Sequence, residues 1–82
     1  MKEITIDCTS AENSHDLHRL LADALEAPGW YGHNLDALHD LLTGICEETA
    51  LILLNLGDFA KGFRRVLQDS QEENPFLTVI II

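Results

Sequence analysis

Eighty-two residues, 46% hydrophobic and 23% charged, make a globular chain with room for one small core, so a single domain over residues 1–82 is expected. Fourteen Asp and Glu against five Lys and Arg leave a formal net charge of -9, which argues against direct binding to nucleic acid or to an anionic membrane and favours a basic partner. No apolar run approaches the roughly 20 residues that span a bilayer, and the opening MKEITIDC lacks the apolar stretch of a secretory leader, so a cytoplasmic protein is expected.

Glu3 to Cys8 alternates Ile4, Ile6 and Cys8 with Glu3, Thr5 and Asp7, the period of a strand with one wet face. Asn13 or Ser14 can cap a helix, with Asp16 placed in its first turn where the dipole favours an acid. Leu17, Leu20, Leu21, Ala24 and Leu25 then follow helical spacing to about Glu26, and Pro28-Gly29 is a stop signal. Trp30 to His33 reads as a short loop, followed by a helix from Asn34, its cap, to Thr43, with Gly44 placed to end it. Along that helix Leu35, Leu38, Leu42 and Ile45 share one side with Leu41 at its edge, while Asp36, Asp40 and Thr43 fall opposite. Ala50 to Asn55 holds four aliphatic residues in succession and suits a strand buried on both faces. Gly57 and Asp58 open a third helix whose Phe59, Phe63, Val66 and Leu67 share a face; Gln68 to Asn74 is polar and ends at Pro75. Phe76 to Ile82 closes the sequence as an apolar, β-branched strand. Helical connections between successive strands imply parallel pairing, so the fold class is α/β: a small three-stranded parallel sheet packed with about three helices.

Catalytic groups are sparse. Cys8 and Cys46 are far apart, form no metal-type pair, and in a reducing compartment read as two small buried apolar residues. Ser10 and Ser14 lack a nucleophile-elbow context, and no glycine-rich phosphate motif is present, so no cofactor is expected. His15 and His18 read as histidines on the surface of the first helix, His18 bordering its apolar stripe. His33, Asp36 and Asp40 have the spacing to share a helix face, with His39 at its border, and collect a metal in a small metal-dependent enzyme, but such clusters are common on solvated polar faces and no fourth ligand or cysteine pair is evident. Recognition is better supported. Trp30 and Tyr31 lie in a loop among small polar residues, as interface anchors do, with plugging of the core as the other reading, above all for Tyr31. Two like charges four residues apart destabilise a helix by roughly 0.2–0.5 kcal/mol, so Asp40 below Asp36 is not there for stability.

The stretch WYGHNLDALHDLLTG resembles the barstar family, intracellular inhibitors of secreted, barnase-type bacterial ribonucleases, whose pattern is aromatic, Tyr-Gly, any, Asn-Leu-Asp-Ala-Leu, aromatic, Asp, any, Leu-Thr-Gly. Weaker likeness extends to Asp16-Leu17-His18 and to the closing LTVIII. The resemblance implies a barstar-like fold and inhibition by occlusion, with the second helix and its preceding loop inserted into the active site of a basic, extracellular-type ribonuclease. Asp40 matches the main acidic anchor, standing in for an RNA phosphate, and Asp36 a second acid. Trp30 matches an aromatic that stacks on the enzyme; Asn34, Leu35, Thr43 and Gly44 match positions lining the contact, beside Tyr31 and Gly32. Asp69 lies near a peripheral acid of the family. His39 and Ile45 replace two family aromatics at or near the contact, and an imidazolium at His39 would repel a basic active site. The segment between second strand and last helix is shorter than in the family, so an extra helical segment is expected to be missing. A monomer is expected. The alternative within this fold is an acidic module serving a different basic toxin or regulatory partner.

Overall fold

Three runs of aliphatic and β-branched residues become the strands β1 (Lys2–Asp7), β2 (Thr49–Leu54) and β3 (Leu77–Ile81), which lie side by side in that order, all parallel. The structure is a computed structural model that describes residues 1–57 and 60–82. Helices α1 (Ser14–Leu25) and α2 (Leu35–Thr43) cross from β1 to β2, and α3 (Lys61–Glu73) crosses from β2 to β3. The α/β class and parallel pairing expected from the pattern are therefore both found. The register places Ile4, Leu51 and Val79 in one row and Ile6, Leu53 and Ile81 in another. Because strand side chains alternate, these rows share a face, and Leu17, Leu21, Leu38, Leu42, Phe63 and Leu67 of the helices join them in one apolar cluster. Each such leucine contributes about 1.5–3 kcal/mol on burial.

The opposite face of the sheet corrects one expectation. β2 is central, yet Ile52 and Leu54 are only half-buried, and Ile80 beside Ile52 is 41% exposed. The four-aliphatic run reflects a central strand with one fully covered face, not two.

Local chemistry explains the helix ends. Asn13 Oδ1 accepts from the Asp16 backbone N–H at 3.0 Å, and Asp16 Oδ2 accepts from Glu12 N–H at 3.1 Å, so two donors at the start of α1 are satisfied reciprocally. α1 does not wait for Pro28-Gly29. It stops at Glu26, which takes the left-handed conformation at φ 52° while Ala27 N–H donates back to Ala22 O at 2.9 Å. α3 runs through the polar segment to Glu73, because Ser70 and Asn74 turn inward four residues apart while Gln68, Asp69, Glu72 and Glu73 stay wet. Its expected opening at Asp58, with Phe59 on the apolar face, lies outside the described residues, and Ala60, just before α3, is in a 3-10 turn. Cys8 is buried as expected, but Cys46 is exposed, and both thiols are free.

Candidate functional site

Asn34 fixes where α2 begins. Its Oδ1 accepts from Ala37 N–H at 2.8 Å, the side-chain cap expected of it, and its Nδ2 donates to Gly32 O at 3.4 Å, tying the cap to the loop before it. In that loop the two aromatics part. Tyr31 turns into the core, 6% exposed, with its hydroxyl 2.6 Å from His18 Nδ1, whereas Trp30 stays 60% exposed. Tyr31 thus answers to the core reading, and burial pushes its phenol up to about 12, so it keeps its proton. Trp30, Gly32, Asn34, Asp36 and Asp40 form an exposed run along one stretch of chain.

The second part of the site is contributed by α3. Gly62 permits close packing against α2: a β-carbon there would lie 3.0 Å from Leu35 Cδ1, so Leu35 is half-buried between the two helices. Further along, His39 Nε2 hydrogen-bonds to Glu73 Oε2 across the pair, while His39 Nδ1 lies 4.0 Å from Asp40 Oδ1. The hydrogen bond to Glu73 foremost, aided by the charges of Glu73, Asp40 and Asp69, holds the His39 imidazole above its ordinary value although burial opposes it. Asp69, Glu72 and Glu73 line a shallow groove with His39, and the Asp40 side chain beside it is 75% exposed with no hydrogen bond of its own among the described residues. Thr43 is half-buried and spends its hydroxyl inside the helix, donating to His39 O at 2.8 Å. Gly44 ends α2 as expected, but with φ at -83° rather than in the left-handed region. Its exposed backbone donates to Asp40 O at 3.1 Å.

The four-residue metal set is not assembled. His33 sits against His15 and Tyr31 while His39 reaches α3, and among the described residues no three ligating side chains are gathered closely enough to hold a metal ion. Three residues escaped the sequence reading. His18 is 3% exposed and packed on Phe63, ring centroids 4.6 Å apart, so it is no surface histidine; its place on the border of the α1 stripe was the available signal. Glu73 has a partner 34 positions away, and Asn74 uses Nδ2 to bind Leu42 O and Ile45 O at 2.9 Å each, pairings that no local pattern announces.

A family model described as "Barstar (barnase inhibitor)" matches residues 1–80 of the chain. A curated relative from Bacillus subtilis (strain 168), described as "Putative ribonuclease inhibitor YrdF", is 42% identical over 81 residues, covering 89% of this chain and 89% of the relative. Among the described residues no helix is long and apolar enough to cross a membrane.

Proposed function

The chain belongs to the barstar family, a family of inhibitors rather than of enzymes, and from that premise we propose that it acts as one barstar-like domain, a monomer, that occludes the active site of a basic, extracellular-type ribonuclease inside the cell that makes it. The observation that carries the reading is the exposed acidic wall: Asp36 and Asp40 on α2 and Asp69, Glu72 and Glu73 on α3, with Trp30 exposed in the loop that leads into α2. A ribonuclease must hold phosphate with cationic side chains. A carboxylate offers the same bidentate acceptor geometry without an ester to cleave, so a fixed carboxylate fills the site and does not turn over. Asp40 suits that role because it stands outside the His39–Glu73 hydrogen bond, and Trp30 offers an aromatic face for stacking. Gly32, Asn34 and Gly44 bring exposed backbone to the rim; Leu35 and Thr43 shape it from below, and Tyr31 anchors the loop from within.

Titrating the purified protein into a barnase-type ribonuclease acting on RNA tests this directly. Cleavage is expected to vanish at one equivalent, and association measured by stopped flow to slow steeply as salt screens the acidic wall. Undiminished cleavage with the protein in excess would remove the reading.

His39 adds a pH dependence whose sign follows from its pairing. In the free protein the neighbouring acids favour the imidazolium, whereas cationic groups of a bound nuclease would oppose it, so binding releases a proton. Affinity is expected to rise severalfold with pH through the elevated His39 range, which lies above about 6.5. Calorimetry in two buffers of different ionisation enthalpy would detect the released proton, and His39→Gln should abolish it.

A further inference from the structure

Three histidines that the acidic wall does not use meet at the Trp30 loop, His18 buried and His15 and His33 exposed. His15 and His18 come from α1 and His33 from the loop; His33 lies 5.8 Å from His15 and 6.3 Å from His18 between ring centroids, and 5.2 Å from Tyr31. His18 is buried, packs on Phe63 of α3, and holds the Tyr31 hydroxyl at 2.6 Å, which draws the loop inward. His33 is held at φ 54°, in the left-handed region that a non-glycine residue adopts at a cost of conformational strain.

We propose that His15, His18, His33 and Tyr31 form an acid-released latch on the Trp30 loop, so that the protein lets go of a basic partner as its surroundings turn acidic. The consequence for the partner rests on the inhibitor reading above; the latch itself does not. Among the described residues the groups facing His18 are His15 on its own helix, Tyr31 and His33 on the loop and the uncharged Phe63 ring on α3. Burial first, then the charges of His33 and His15, hold His18 below its ordinary value. The closed state therefore binds fewer protons than the open one. It is favoured at neutral pH and loses ground as pH falls through about 6.5, the ordinary histidine value, toward the depressed one. This window lies on the acid side of the one at His39, whose imidazole is shifted upward rather than downward, and both weaken binding as pH falls.

The chain holds one Trp and one Tyr, so each gives a single set of ring NMR signals in the free protein. On titration from pH 8 to 5 the Tyr31 ring is expected to leave its core-shifted position with a midpoint below pH 6.5 while the Leu38 and Leu42 methyls stay in place. The double variant His15→Gln, His33→Asn removes the two opposing cations, and Asn tolerates the left-handed backbone. Its midpoint should shift to lower pH. The latch is overturned if Tyr31 stays put across the range, if it moves only together with the Leu38 and Leu42 methyls, or if the double variant titrates as the wild type does. No nuclease enters this measurement, so its failure leaves the inhibitor reading intact, and a failed inhibition assay leaves the latch intact.

Discussion

Replacing Asp40 by Ala is expected to weaken binding to a basic ribonuclease by about 3 to 5 kcal/mol, the range for removing one partner of a desolvated ion pair, while leaving the free protein at least as stable as before. The two halves of that expectation have separate causes. In the free protein the Asp40 side chain is 75% exposed, and its nearest basic atom, His39 Nδ1, is 4.0 Å away, so truncation breaks no hydrogen bond. It also removes the like-charge neighbour of Asp36 one turn earlier, worth roughly 0.2–0.5 kcal/mol in favour of the variant. In the complex the same carboxylate would face cations from which water has been excluded, and its loss would leave them unpaired. The equilibrium constant should fall between about a hundredfold and several thousandfold. Asp40→Asn, which keeps the shape and loses the charge, should fall nearly as far. Inhibition constants and thermal melts on the same preparations decide the matter: a lowered melting temperature with unchanged affinity would mean that the acidic face serves the fold rather than a partner.

What the sequence disclosed well were features set by near neighbours. Asn34 as cap, Gly44 as terminus and the apolar stripe of α2 depend on contacts within one or two turns, and Leu38 and Leu42 are indeed fully buried. The parallel sheet followed from element order alone. Residues whose roles depend on distant chain were left open or misread. Trp30 and Tyr31 are adjacent and chemically alike, and their opposite fates turn on His18, which waits inside to receive one hydroxyl. The polar tail of α3 reads only as polar until β3 is placed beside it: Gln71 Oε1 then accepts from Val79 N–H on the outer edge of the sheet. In the candidate site the acids on α2 were legible because they share a helix with their own counter-argument, the repulsion at four-residue spacing. The α3 half was less so. Asp69 was reached only through the family resemblance, and Glu73 not at all, since its meeting with His39 exists only once the two helices have packed.

The same reasoning makes Asn74 the most sensitive polar residue of the scaffold. Asn74→Ala is expected to lower stability by about 2 to 4 kcal/mol, because net losses near 1 kcal/mol per hydrogen bond combine with the cost of buried groups left unsatisfied. The side chain is 4% exposed. Its Nδ2 donates to Leu42 O and Ile45 O, each at 2.9 Å, and its Oδ1 accepts from Phe76 N–H at 2.9 Å, so one amide joins the end of α2 to the entry of β3. Leu42 O keeps a weak partner in Ile45 N–H at 3.3 Å, so the loss is smaller than the sum of three full penalties. For a domain of this size the loss corresponds to a fall in melting temperature on the order of 10–20 °C. Asn74→Asp separates the donor from the acceptor role: it preserves the bond to Phe76 but sets a carboxylate against two carbonyl oxygens, and should be at least as damaging as alanine. Well below its melting temperature the alanine variant should still bind a nuclease with only modest loss, since Asp40 lies a full turn upstream of the freed end of α2. Unchanged melting in Asn74→Ala would show that the end of α2 is held by apolar packing alone, with the amide network adding nothing to it.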